Sequence, residues 1–415
     1  TDSTAANLPW FDLFADSVLV SMIDTTLREN RDLRVAIARI DEAAATVGIV
    51  RADLFPRVNY GGSGVVDGNS ASDWDPELSA SGFLGVSWQL DLWGRVRRTE
   101  EAALQTVLAR EESVRGVTLS LVSAVARSYL LLLDLDNRLR VAEKMVQIRS
   151  DNLEIIQARF DGGSVSVVDL NQAKIQLADA EASVQTFTRL RKQTENGLSL
   201  LMGRPPMQIP RGRSLQDQAI APTVPAGLPS GLIERRPDIL EAERNLHAQT
   251  ARIGAAQALK FPQFDLTGSV GGTLADPNVG FFDIGAQIFG PIFNSGENQR
   301  RVEVEEARTW QLIAAYEQTI LGAWREVEDA LIAVRTYEAE YQARFRQMEA
   351  AADAAGLAWV RYEGGMTSYL EILETQRSLF STQLAASETF QLWLSSLVEL
   401  YAALGGGWEM PEYED

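Results

Sequence analysis

The 415-residue sequence contains no cysteine and only one histidine, His247. Without cysteine there is neither a disulfide framework nor a thiolate metal site. A lone imidazole argues against a zinc site and a Ser-His-Asp arrangement. Beside Asn245 and Gln249, His247 is expected to make a surface or interhelical hydrogen bond. No other nucleophile-base or metal-ligand cluster stands out, so the sequence predicts no enzyme, no cofactor and no metal. Positive charge is also scarce: 38 Lys and Arg against 57 Asp and Glu leave a net charge of −19. Such a surface repels nucleic acid and anionic headgroups, and no nucleic-acid partner is expected. Long apolar runs are missing too. The nearest, Val117 to Leu135, carries Arg127 and Asp134 and reads as too polar for a membrane helix. No signal-like segment opens the chain, so Thr1 is expected to be a mature or trimmed start.

What is present is written twice. Arg159-Phe160-Asp161-Gly162-Gly163 returns as Arg361-Tyr362-Glu363-Gly364-Gly365, and Leu201-Met202-Gly203 returns as Ala403-Leu404-Gly405, each 202 residues later. Leu54-Phe55-Pro56 returns as Lys260-Phe261-Pro262, 206 residues later. These units are far longer than solenoid repeats, so each copy is expected to be half of the protein. The expected division is a first repeat over 1–203, a Pro/Gly-rich linker over 204–230, a second repeat over 231–408 and a tail over 409–415.

Within each half the apolar period changes. Ser17 to Asp53 reads as a helix opened by Asp16-Ser17 and closed before Phe55-Pro56. The period then falls to two, predicting strands over about 57–67 and 82–92. Val58, Tyr60 and Val66 share one face with Asn59 and Ser63 on the other. Leu84, Val86, Trp88, Leu90 and Leu92 likewise oppose Gly85, Ser87, Gln89 and Asp91. Between the strands, Trp74 sits in a polar loop. Residues 95–160 carry no turn signal and predict a helix of roughly 100 Å at about 1.5 Å per residue. Its seam runs through Leu119, Val122, Ala126, Tyr129 and Leu133, then shifts phase to Leu135, Leu139, Ala142 and Val146. A return helix follows over about 165–202. The second half repeats the plan: a helix over about 235–259, strands over about 263–273 and 281–292, and helices over 296–362 and 367–404.

Strands of about ten residues with one apolar face suit a bilayer-spanning barrel. Four of them cannot close, because the smallest such barrels need about eight. An open edge in lipid would leave backbone groups unpaired at several kcal/mol each. Several chains must therefore share one barrel, in cyclic symmetry whose order the periodicity leaves open. The long helices would continue that barrel as a tube through an aqueous compartment.

Four motifs now carry a resemblance. Leu228-Pro229-Ser230-Gly231-Leu232-Ile233-Glu234-Arg235-Arg236-Pro237-Asp238, Trp88-Gln89-Leu90-Asp91-Leu92-Trp93-Gly94, Pro291-Ile292-Phe293-Asn294-Ser295-Gly296 and Ala403-Leu404-Gly405-Gly406-Gly407-Trp408 resemble the outer-membrane efflux factor family. These are TolC-like channels, and the branch is the one serving resistance-nodulation-division pumps. The resemblance covers nearly the whole chain. It implies a mainly α protein with a transmembrane β-barrel, built as a homotrimer of twelve strands with four per chain. A periplasmic α-helical tunnel would continue the barrel. It implies contact with outer-membrane lipid, docking to a periplasmic adaptor and an inner-membrane pump, and passive export of drugs or other small toxic compounds across the outer membrane of a Gram-negative bacterium. Many relatives carry a lipidated N-terminal cysteine, so here the anchor is expected to be absent or to lie ahead of Thr1. Two alternatives stand beside this reading, a protein-secretion duct and a soluble coiled-coil periplasmic scaffold.

Candidate site residues follow. Glu371 and Glu374, at i and i+3, are either a solvated acidic face or carboxylate rings at a constriction; the resemblance aligns Leu370 and Glu374 with constriction positions and Glu371 with another acidic ring of related channels. It also implies a hydrogen bond between Tyr362 and Asp169 that holds the closed state. The alternative is a packed tyrosine and a helix-capping aspartate. Thr367 stands where some relatives carry a gate arginine. Gly162, Gly163, Gly364 and Gly365 are needed for the turns, and by resemblance form the tips that meet the adaptor. Trp88 and Trp93 mark either the membrane boundary or core packing.

Overall fold

A computed structural model describes residues 16–67, 77–218, 235–274 and 278–406. Trp74, Trp408 and residues 228–234 of the linker motif lie outside them. In chain order the elements are helices α1 (Ser17–Glu29) and α2 (Arg31–Ala52), strands β1 (Arg57–Asp67) and β2 (Glu77–Leu90), and helices α3 (Arg95–Asp161) and α4 (Val167–Leu201). The second set is α5 (Pro237–Ala258), β3 (Gln263–Leu274), β4 (Val279–Phe289), α6 (Glu297–Glu363) and α7 (Tyr369–Ala403). Both long helices have 67 residues and both return helices 35. Strand β2, at 14 residues, starts earlier and ends sooner than its alternation suggested.

Ser17 to Asp53 is two helices rather than one. Asn30 breaks them with an extended ψ of 134°. Its side chain accepts from Leu33 N at 3.0 Å, capping α2, and donates to Leu201 O at 2.8 Å. The turn after α4 fixes this kink. Gly203 has φ +68°, and a methyl group there would stand 2.3 Å from Glu29 O. Asparagine is a favoured cap, but its second partner lies 171 residues away in sequence.

Residue contacts divide the chain into two units. One comprises the described parts of Thr1–Val35, Arg115–Arg236 and Leu321–Asp415. Its core joins Leu19 and Ile23 to Val122, Val125, Ala126, Tyr129 and Leu133, with Leu198, Phe390 and Trp393. A second cluster gathers Leu135, Leu139 and Ala142 with Ala180, Phe187 and Phe380. The seam of α3 thus changes clusters where its phase shifts. This stretch corrects the reading made from its charges: by composition α3 is apolar enough to cross a membrane. It is core instead, because Val122, Val125, Ala126, Tyr129 and Leu132 are at most 2 % exposed.

The same unit buries three polar anchors. Asp16 caps α1 through Val18 N at 2.9 Å and accepts from Tyr129 Oη, Arg213 N and Gln218 Nε2 at 3.0–3.1 Å. Burial alone would raise its pKa, but these donors pull it below the usual carboxylate range. Arg236 of the linker motif donates to Ala403 O at 2.9 Å and to Glu326 at 2.7 Å, tying the end of α7 to α6.

Asp134 of α3 is fully buried beside Ser387, whose hydroxyl donates to it at 2.5 Å, and Arg138 at 2.6 Å. Burial pushes its pKa up to about 6; Arg138 and Ser387 oppose the shift and Glu388 adds to it. A raised carboxylate makes the folded state hold the extra proton, so stability is expected to fall as pH rises from about 4 to about 6 and to stay lower above that. Thermal melts of the helical signal should show this slope, on the order of 1–3 kcal/mol, in the wild type and not in Asp134→Asn.

The other unit, Ala36–Val114 with Pro237–Ile320, holds a four-stranded antiparallel sheet in the order β1-β2-β3-β4. Its register places Val58, Tyr60, Val66, Leu84, Val86, Trp88, Phe264, Leu266, Val270, Phe282, Ile284 and Ile288 on one face. Tyr60, Phe282 and Ile284 are 80–89 % exposed. The opposite face carries Asn59, Ser63, Ser87, Gln89, Asp265, Thr267, Ser269, Asp283 and Gln287. Among the described residues, both outer strands, β1 and β4, leave an edge unpaired in the single chain.

Candidate functional site

Both helix hairpins turn by one device. Gly163 and Gly365 take φ +71° and +68°, left-handed values that a side chain disfavours. Ser164 N then donates to Arg159 O at 2.8 Å, and Met366 N to Arg361 O at 2.9 Å. Gly162 and Gly364 need no such freedom, since neither has positive φ.

The return helices start differently. Ser166 and Asp169 form a reciprocal capping box on α4, with Asp169 N donating to Ser166 Oγ at 3.2 Å and Ser166 N to Asp169 Oδ2 at 3.0 Å. Ser368, its counterpart on α7, makes no side-chain cap bond. Glu371, one methylene longer than Asp169, instead accepts from Thr367 Oγ1 and pairs with Arg361 at 3.4 Å. Asp169 is therefore committed locally, whereas Glu371 bridges the turn from α6 to α7.

Tyr362 lies between the two hairpins. Ile156, Leu170, Ala358, Tyr369, Ile372 and Leu373 form a core cluster against which Phe160, Trp359 and Tyr362 pack. The Arg159 guanidinium sits 4.7 Å over the Tyr362 ring, and the Tyr369 ring lies 5.9 Å away. Burial pushes the Tyr369 phenol up to about 12, with the charges of Tyr362 and Asp169 adding to it. The Tyr362 hydroxyl is buried and has no hydrogen-bond partner among the described residues. Within the chain, then, the Tyr362–Asp169 bond is not made: Asp169 caps its own helix and Tyr362 is packed. The two hairpins meet through this shared core, through Asn152 donating to Gln376 at 3.2 Å, and through the Arg159–Tyr362 stack. Arg159 and Arg361 escaped the sequence reading although both open the duplicated motif.

Leu370 is 67 % exposed, as Val168 is at the equivalent place on α4 at 61 %. Glu374 is exposed and 3.8 Å from Arg377, a pairing worth little in water.

Trp88 and Trp93 belong to the other unit, where β2 runs into α3. Each indole donates to the backbone of one Phe-Pro junction: Trp88 Nε1 to Leu54 O at 3.0 Å, Trp93 Nε1 to Pro262 O at 2.6 Å. Trp93 also stacks on Phe261 at 4.7 Å. Near this end of the polar face, Arg95 donates to Gln89 at 2.7 Å and Gln89 to Gln263 at 2.9 Å. Asp91 caps α3 through Val96 N and Arg97 N, both at 3.0 Å. Among the described residues no metal-ligand cluster occurs.

Comparison with known proteins places this arrangement. The profile of the outer membrane efflux protein family matches residues 22–204 and again 228–406. The chain is 37 % identical over 420 residues to the probable efflux pump outer membrane protein TtgC of Pseudomonas putida, covering 98 % of this chain and 87 % of that protein. It is 34 % identical over 413 residues to the cation efflux system protein CusC of Escherichia coli, covering 97 % and 89 %. The crystal structure of CusC superposes with a TM-score of 0.90 at 32 % identity, covering 98 % of this chain and 97 % of that one.

Proposed function

The chain belongs to the outer membrane efflux protein family, and from that premise we propose that three copies close one twelve-stranded barrel whose helices form a gated periplasmic tunnel. The chain is an outer-membrane efflux channel of a Gram-negative bacterium and not an enzyme. One observation carries the shared barrel: a four-stranded sheet with a wholly apolar face and, among the described residues, two unpaired edges is untenable in lipid unless neighbouring chains supply the missing partners; the number three follows from the family. The second long helix supports it, since Leu321, Trp324, Ile332, Leu357 and Val360 of α6 are 46–65 % exposed in a single chain.

In the proposed assembly the apolar face meets lipid and the polar face lines the lumen, with Trp88 and Trp93 at the membrane boundary. The helix tips meet a periplasmic adaptor through the turns at Gly162-Gly163 and Gly364-Gly365. Leu370, Glu371 and Glu374 surround the constriction, with Asp169 and Tyr362 in its supporting tip. A resistance-nodulation-division pump supplies the energy, and small toxic compounds are the cargo.

Chemical cross-linking in detergent should give a ladder ending at three, and planar bilayers should show discrete single-channel steps. Glu371→Gln with Glu374→Gln should lower the preference for cations over anions severalfold, as expected when carboxylate rings are neutralised. A monomer stable in plain buffer, or bilayers without steps, would end this reading.

A further inference from the structure

One row in the middle of the sheet's polar face is aromatic. Cross-strand pairing sets Gly61 beside Phe83, Phe83 beside Gly271 and Gly271 beside Phe281. The neighbouring rows are Ser63, Ser81, Thr273 and Val279 on one side, and Asn59, Gly85, Ser269 and Asp283 on the other. Away from Val65, Val279 and Phe289 near the strand ends, Phe83 and Phe281 are thus two aromatic rings on a face built mainly of hydroxyls, amides and carboxylates. The glycines make room for them. A methyl group on Gly61 would stand 2.6 Å from the Phe83 ring, and one on Gly271 2.7 Å from the Phe281 ring.

Each ring lies across a glycine on the preceding strand, an arrangement that covers exposed backbone. Covering backbone does not use the rings up: Phe83 and Phe281 remain 44 % and 40 % exposed. Two residues past Phe281 on the same face is Asp283, about 6–7 Å along the strand. The Ser269 hydroxyl donates to this carboxylate and holds it on the polar face. Aromatic faces next to a carboxylate recognise cations that carry apolar groups, because the ring quadrupole and the charge attract the same ligand.

We propose that Phe83, Phe281 and Asp283 form a lumenal subsite of the barrel for amphiphilic organic cations, present three times in the trimer. This rests on the barrel reading, which turns the polar face inward. The subsite is separate from the helix-tip gate, whose residues lie in the other unit. It gives departing aromatic cations a contact in an otherwise hydrophilic duct, which an aliphatic cation of similar charge uses less.

The test is current block of the reconstituted trimer in planar bilayers by tetraphenylphosphonium, with tetraethylammonium as the non-aromatic comparison. Wild-type channels should be blocked by tetraphenylphosphonium at concentrations at least about tenfold lower than by tetraethylammonium, a preference of the size that ring–ring contacts add beyond the attraction of either cation to the rings. Phe83→Leu with Phe281→Leu, which keeps apolar cover over the glycines, should remove most of that preference. Asp283→Asn should weaken block by both cations. Phe83→Ala with Phe281→Ala should match the leucine pair wherever it assembles. Open channels in which the leucine pair leaves the aromatic preference unchanged overturn the subsite. Wild-type protein that forms no channels overturns the barrel reading instead.

Discussion

Replacing Ile284 by arginine is expected to prevent recovery of the assembled barrel, whereas arginine at Asn59 should be tolerated. Ile284 is 88 % exposed on the apolar face, and its cross-strand neighbour is Gly268, so no side chain of the sheet shields it. Arginine facing lipid near the middle of a barrel wall costs about 2–4 kcal/mol. Three symmetric copies incur that cost together, roughly 6–12 kcal/mol for one barrel. This is comparable to the whole stability of a typical domain, about 5–15 kcal/mol. Asn59 shares its row with Ser269 and Asp283 on the polar face, where a guanidinium meets water and a carboxylate. Folding both variants into liposomes and scoring the heat-resistant trimer on gels measures the difference. Equal tolerance at the two positions would mean that the apolar face does not meet lipid.

The faces behind this prediction could be read in the sequence because alternation survives any twist or curvature of a strand. Val58, Tyr60, Leu84, Val86 and Trp88 all fall where period two places them. The shift from Leu133 to Leu135 was likewise legible, and it marks the passage from one core cluster to the next. Asn30 was not, because its partner is a carbonyl on a distant helix. The pattern Gly82-Phe83-Leu84 and its counterpart Gly280-Phe281-Phe282 broke the alternation openly, but cross-strand pairing was needed to show that both phenylalanines lie in one row with glycines. At the helix tips the sequence pointed to the right neighbourhood through its repeated motif. It did not single out Arg159, and it could not decide whether Asp169 bonds Tyr362 or caps its own helix. That choice depends on whether Ser166 claims the aspartate, which is a matter of local cap geometry.

That geometry leads to the sharpest expectation for the gate. Arg159→Ala should raise the conductance of the isolated trimer at least about fivefold, while Tyr362→Phe should leave it nearly unchanged. A partly desolvated cation–π contact is worth about 1–2 kcal/mol, and three hairpin pairs opening together would lose about 3–6 kcal/mol of closure. Moving a two-state gate from mostly shut to mostly open needs about 5.5 kcal/mol, so losing the stack alone reaches the required range. The Arg361–Glu371 pair is half exposed and of the kind worth about 0–1 kcal/mol, so Glu371→Gln should shift opening far less. Tyr362→Phe keeps the ring under Arg159 and removes a hydroxyl that bonds nothing among the described residues. A hydrogen-bonded latch predicts the reverse order, with Tyr362→Phe opening the channel and Arg159→Ala silent. Single-channel recordings of the two variants, with salt held constant because ion pairs are screened, therefore decide which contact holds the tips of the two hairpins together.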